Sequence, residues 1–307
     1  MRYGLYPVSF VHAGGTLSLQ QMYGSTFNSG SNHGLCRPGG GLNPAAHILG
    51  TANPSETHRT RDLLTLLNSG ISLLSGLACS GGHTARLQSK LAGGAFSTGT
   101  AHYTRSSAYG FAHIRSISDD IDSVEGAEAE VEYIPLSAAG ENPYTEDDDV
   151  DFTSAPAPAF MSQYHMGGVW LGSTQLTGLV RRTLTPGIIF AARRVDGGAW
   201  PVYNASSIIA RAPMLSLTFL KADMTFNVLG SLFSAPLGST LKCYYQRGTT
   251  AIDGRVAAAS TSHIRVDVEA GNWGSDDVSV SNEDDATVTI TVRPTGVLAW
   301  SVGVAIP

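Results

Sequence analysis

The chain has 307 residues, 42% of them apolar and 14% charged, with 25 acidic against 19 basic side chains. The acidic excess and the lack of clustered Lys and Arg exclude a protein that grips nucleic acid through its phosphates. Length fits two domains of about 150 residues, and so few charges point to a surface largely covered by neighbouring subunits.

No apolar run approaches the length of a membrane span, and residues 1–7 lack the apolar centre of a signal peptide, so folding in the cytoplasm is expected. Cys36, Cys79 and Cys243 are odd in number and far apart, which suits reduced, buried thiols.

Residues 1–50 are dense in Gly and Asn, with short apolar pieces such as residues 17–22, and predict strands joined by long loops. Residues 54–68 carry helix signals: Asn53 or Ser55 to cap, Pro54 for the first turn and Gly70 to stop. An internal echo with residues 214–220 argues for a strand at 63–67 instead, which moves the helices to 70–77 and 223–232. Strands and glycine turns alternate from 85 to 134. Residues 137–158 then turn acidic and proline-rich, the signature of a linker or protruding loop. One more strand is expected over 298–304.

Several stretches recur in the same order. His12-Ala13-Gly14-Gly15 returns as His165-Met166-Gly167-Gly168, and Leu64-Thr65-Leu66-Leu67 as Leu217-Thr218-Phe219-Leu220. The run from Thr100 and His102 through Ala127 to Pro135 returns from Thr261 and His263 through Ala286 to Pro294. Both runs end in strict alternation, with Ala129, Val131 and Tyr133, or Val288, Ile290 and Val292, on one face. We therefore expect a mainly β chain with two tandem β-sandwich or barrel domains related by internal duplication, the unit being near 155 residues, each with one short α-helix. The first would span 1–137 and the second 160–307, with 138–159 between them.

Chemistry is sparse. The nine histidines form neither HxH nor HExxH. His33 and Cys36 with Cys79 and His83 have zinc-compatible spacing but sit in no finger pattern, and Cys79 with His83 is a superficial nucleophile and base pair. The paired positions of His102 and His263 are read as structural hydrogen bonds to a neighbouring strand. Glu146 to Asp151 could attract calcium but lacks the glycine and terminal Glu of a calcium loop. No enzyme, cofactor or metal is expected.

Leu171-Gly172-Ser173-Thr174-Gln175-Leu176-Thr177-Gly178, the region from Asp253-Gly254-Arg255 to His263, and the strand from Ala286 to Gly296 resemble the tail tube proteins of long-tailed bacteriophages. The resemblance implies a structural virion protein of the tail, without membrane association, forming stacked rings around a channel through which DNA passes unbound. A fused pair implies a trimer with pseudo-sixfold symmetry, a hexamer being the other option, in contact with other tail proteins. In that setting Glu128, Glu130, Glu132, Thr287, Thr289 and Thr291 would line the lumen. Glu146, Asp147, Asp148, Asp149 and Asp151 would form a ring-stacking or linker loop, and the Gly-rich residues 23–50 a stacking loop or outer decoration. The alternatives are another tail, neck or baseplate component with paired tube-like domains, or a carbohydrate- or receptor-binding β-sandwich using Trp170, Trp200, Trp273 and Trp300.

Overall fold

The computed structural model describes residues 2–5, 8–19, 22–36, 46–90, 99–123, 125–152, 163–196, 198–220, 235–249, 254–279 and 287–307. The first half runs β1 (Arg2–Leu5), β2 (Val8–His12), β3 (Gly15–Leu19), β4 (Met22–Asn28), β5 (Ser31–Cys36), β6 (Ala46–Ala52), β7 (Ser55–Thr60), α1 (Leu63–Asn68), β8 (Leu77–Cys79), β9 (Gly82–Lys90), β10 (Gly99–Ser107), β11 (Tyr109–Asp120), β12 (Glu128–Leu136) and β13 (Tyr144–Phe152). The second runs β14 (Tyr164–Leu171), β15 (Thr174–Leu176), β16 (Leu179–Thr185), β17 (Ile188–Ala191), β18 (Ser207–Arg211), β19 (Met214–Phe219), β20 (Ala235–Pro236), β21 (Leu241–Arg247), β22 (His263–Val268), β23 (Gly271–Ser279), β24 (Thr287–Pro294) and β25 (Leu298–Val304). The chain is mainly β.

These strands form one large sheet and two smaller ones. The ten-stranded sheet takes strands from both halves in the order β20-β23-β24-β19-β16-β11-β12-β7-β4, with β8 on the flank of β11. A six-stranded sheet, β13-β10-β9-β2-β3 with β1 on β9, is made from the first half alone. A five-stranded sheet, β15-β14-β21-β22-β25, is made from the second. Hairpins β5–β6 and β17–β18 stand apart as two-stranded ribbons.

Alternation builds the core. Along β12, Ala129, Val131 and Tyr133 are buried while Glu128, Glu130 and Glu132 are half-buried, as a strand with one covered face requires. On β24 the inward residues are Val288, Ile290 and Val292. They join one apolar cluster that runs through both halves, from Phe10, Leu66 and Ile114 to Leu184, Leu217 and Val266.

The helix occupies only the end of the stretch that carries helix signals, since residues 55–60 form strand β7. Leu63–Asn68 is helical, not extended, because Leu63, Leu66 and Leu67 bury one helical face and the Asp62 carboxylate accepts from the Thr65 amide at 3.3 Å. Residues 70–77 are not a helix: Ser72 and Gly76 bridge to each other around a turn. The helix expected at 223–232 falls outside the described residues.

The acidic stretch also departs from expectation. Glu146, Asp147, Asp148, Asp149 and Asp151 belong to strand β13, which pairs with β10, rather than to a linker or loop. An extended backbone throws neighbouring carboxylates to opposite faces, easing their repulsion, and Glu146 meets Arg105 at 3.2 Å. Charges on an edge strand also block stray pairing. The first sheet therefore extends to Phe152, past residue 137.

Candidate functional site

The deepest concentration of ionisable groups lies between the six-stranded and ten-stranded sheets of the first half. On β7 the burial pattern turns Glu56, His58 and Thr60 inward. On β9, His83 pairs with Phe10 of β2 and Ser107 of β10 and points to the same space. His58 Nε2 lies 3.1 Å from His83 Nε2, and Glu56 Oε2 lies 3.4 Å and 3.8 Å from those two nitrogens. All three residues are buried.

Aromatic walls hold the imidazoles in place. His83 stacks on Tyr133 with centroids 4.2 Å apart, and Phe10 lies edge-on to His58 at 5.9 Å. Around them, Ser25 Oγ meets His58 Nδ1 at 3.1 Å and Arg105 Nη1 donates to Glu56 Oε1 at 3.4 Å. His83 Nδ1 is buried without a hydrogen-bond partner, and the Tyr144 hydroxyl lies beside Glu56.

The electrostatics follow from burial. Burial pushes the Glu56 carboxyl up, but the His58 hydrogen bond and the charges of His83, His58 and Arg105 outweigh it and hold the group at about 2. His83 is driven down to about 3 by burial, against the attraction of Glu56. A carboxylate and a neutral imidazole therefore face each other at neutral pH. Burial and the Glu56 charge push the Tyr144 phenol well above its ordinary range.

Sequence reasoning missed Glu56 and His58 because residues 54–68 carried helix signals and the strand weighed against them covered only 63–67. Glu-x-His in an extended run is the signal that was there, since positions i and i+2 share a strand face. Of the zinc-compatible residues whose side chains are described, His83 enters the cluster and Cys79 does not. The Cys79 thiol, pushed up to about 12 by burial, donates to Leu77 O. The side chains of His33 and Cys36 lie outside the described residues. His263 has the structural role expected, accepting from the Arg247 amide and meeting Ala257 O at 2.9 Å.

The other sequence-predicted positions gather on the ten-stranded sheet. Glu128, Glu130, Glu132, Thr287 and Thr289 lie half-buried on the face opposite the core, while Thr291 is buried. The glutamates do not make a bare acidic stripe. Arg59 approaches Glu128 and Glu130, Arg115 approaches Glu130 and Glu132, and His113 lies 3.2 Å from Glu132. Two open clefts flank the β11–β16 junction, one around Met166, Gln175 and Arg255, the other around Asp119, Glu128 and Arg181, and no His or Cys lines either.

No protein-family model matches the chain, and a search of curated proteins finds no match. No helix among the described residues is long and apolar enough to cross a membrane.

Proposed function

We propose that the chain is a tandem pair of one β unit and that it assembles by repeating, between chains, the joint that links its own halves. The product would be the closed tube of a long-tailed bacteriophage tail. One observation carries this: adding twelve to the strand numbers β2 to β13 reproduces the pairing of the second half, β1 alone having no counterpart. The path β13-β10-β9-β2-β3 becomes β25-β22-β21-β14-β15, and β11-β12-β7-β4 becomes β23-β24-β19-β16. Likewise β8 on β11 becomes β20 on β23, and ribbon β5–β6 becomes β17–β18.

Register supports the same duplication. Glu56 opposite Tyr133 corresponds to Leu215 opposite Val292, a displacement of 159 on both strands. The bulge between Ile114 and Ser116 recurs between Ser275 and Asp277, displaced by 161. The echoes at 153 lend no support. They match His12, at a hairpin turn, with His165 inside β14, and helical Leu64 to Leu67 with the strand end at Leu217 to Phe219.

Within the chain the units meet where Ile117 to Asp120 of β11 pair with Leu184 to Arg181 of β16. The equivalent edges, β4 and the Val278–Ser279 end of β23, lie toward opposite ends of the ten-stranded sheet. Carried over, the joint sets Val278 of one chain opposite Phe27 of the next. Phe27 is 39% exposed although its counterpart Leu184 is 0% exposed, so the free edge holds an apolar side chain that a neighbour would cover. Ribbon β17–β18 also crosses the joint, stacking Phe190 on Phe111 at 4.2 Å, and β5–β6 would reach the next chain in the same way. Such a heterologous contact closes into a ring or runs on as a filament. Three chains, each giving two sets of four strands, would put 24 in one barrel.

In this reading the face bearing Glu128, Glu130, Glu132, Thr287 and Thr289 lines a lumen whose carboxylates keep phosphate from sticking while Arg59 and Arg115 hold them in place. The subunit would act without catalysis, in the virion, in contact with other tail proteins. For the carbohydrate-binding alternative, Trp170 and Trp273 are buried and only Trp200 and Trp300 are half-buried, so no fully exposed Trp favours it.

Negative-stain microscopy and light scattering test the proposal, with rings or tubes expected. Phe27→Asp should leave a folded monomer. Phe27→Cys combined with Val278→Cys should oxidise to covalent dimers and trimers. A wild-type protein that stays monomeric at high concentration and forms no cross-links in the double-Cys variant would overturn it.

A further inference from the structure

The two halves contain a natural control for the buried cluster. Glu56 and His58 on β7 correspond to Leu215 and Leu217 on β19, because their partners Tyr133 and Val131 correspond to Val292 and Ile290. Hairpin ends His12–Gly15 and Leu171–Thr174 are both displaced by 159, which matches Phe10 with Val169 and so His83 with Cys243. Leu215, Leu217 and Cys243 are all buried in the apolar core. This sheet packing is therefore built without polar groups at these three places. The first half nevertheless holds a carboxylate and two imidazoles there, all three buried and with one ligand atom each within 4.8 Å of the others. Burying such groups costs several kcal/mol if nothing satisfies them.

The geometry points to a divalent zinc-class ion held by Glu56 Oε2, His58 Nε2 and His83 Nε2. With separations of 3.1, 3.4 and 3.8 Å, the circle through the three atoms has a radius of about 2.0 Å, and zinc binds nitrogen and carboxylate oxygen at about 2.0–2.2 Å. An ion at that distance sits in or just off the plane of its three ligands and keeps a fourth position open. Two imidazoles and one carboxylate are borderline donors that suit zinc better than calcium or magnesium. The surroundings match a metal site's outer shell: Ser25 Oγ orients His58 through Nδ1, and Arg105 donates to the other Glu56 oxygen. Packed inside the sandwich, the ion ties β7 of the large sheet to β9 of the small one and acts structurally. The second half makes no such clasp.

The site does not depend on ring assembly and is tested on the wild-type chain, because Phe27 packs under the Arg105 guanidinium; failure of one proposal does not touch the other. The protein is purified with zinc in the medium and its metal measured by mass spectrometry. One ion per chain is expected, absent from the variant that takes the second half's residues, Glu56→Leu with His58→Leu and His83→Cys. A chelator should lower the wild-type melting temperature by about 5 °C or more and leave that variant unmoved. If the variant does not fold, cobalt added to chelator-treated wild type supplies the readout, intense visible bands marking a tetrahedral site. Metal-free wild type with no cobalt spectrum, or an ion retained when His58→Ala and His83→Ala are combined, would overturn the assignment.

Discussion

Arg182→Leu should unfasten the joint between the halves, and the cost should depend on pH. Arg182 of β16 is fully buried, with Nη2 3.3 Å from Asp119 Oδ2 of β11, Nη1 donating to Tyr244 O at 3.0 Å, and its guanidinium 3.8 Å from the Tyr245 ring centroid. Burial lifts the Asp119 carboxyl from 3.8 to about 6, even against the pull of Arg182. That rise of about two pH units means the ionised form is disfavoured in the fold by about 3 kcal/mol. A raised folded pKa contributes stability that is present below about pH 4 and lost as pH rises through about 6.

Removing Arg182 strands the carboxylate, so the loss at pH 8 should reach about 3–5 kcal/mol, the cost of breaking a buried pair. At pH 4.5 the folded Asp119 is protonated, so no carboxylate is stranded, and the loss of the hydrogen bonds to Asp119 and Tyr244 O and of the ring contact should come to about 1–2 kcal/mol. Urea unfolding of the monomeric Phe27→Asp background at both pH values, followed by tryptophan fluorescence, measures this. Asp119→Asn in the Arg182→Leu background should recover part of the pH 8 loss. Equal losses at pH 4.5 and pH 8, with no recovery from Asp119→Asn, would refute the stranded-charge account.

Two further changes probe the packing around the buried cluster, in addition to the assembly and metal experiments. Tyr133→Phe removes a hydroxyl that bonds Ser107 Oγ at 2.5 Å and donates to Tyr109 O at 2.9 Å, and should cost about 1–2 kcal/mol in the same urea assay. Gly82→Ala forces a side chain into a backbone with φ +91° and a Cβ only 1.9 Å from Ser107 O, so a loss of roughly 2 kcal/mol or more is expected. Gly238→Ala, whose Cβ meets nothing within 4 Å, should change stability by less than about 1 kcal/mol.

Local periodicity made much of the fold legible. Alternation located β12 and β24 and chose the faces that carry Tyr133 and Val292, because a strand with one covered face repeats every second residue. The helix at Leu63–Asn68 was only partly legible: the signals at Asn53, Pro54 and Ser55 fall on or beside strand β7, the cap is Asp62, and the echo at 153 pointed to a strand. The acidic run was misjudged because repulsion between neighbours in sequence says nothing about the opposite faces they occupy once β10 pairs with β13.

By itself the sequence determined the β class and the alternating faces, both of which depend on residues within a few positions of one another. Tertiary structure alone decided that Glu56 and His58 face His83 across two sheets, that Arg182 meets Asp119 at the join of the halves, and that Phe27 is left on an open edge. Each of these depends on which strands become neighbours. That choice is made by burial summed over the whole chain, where residues 25 or more positions apart reach hydrogen-bonding distance.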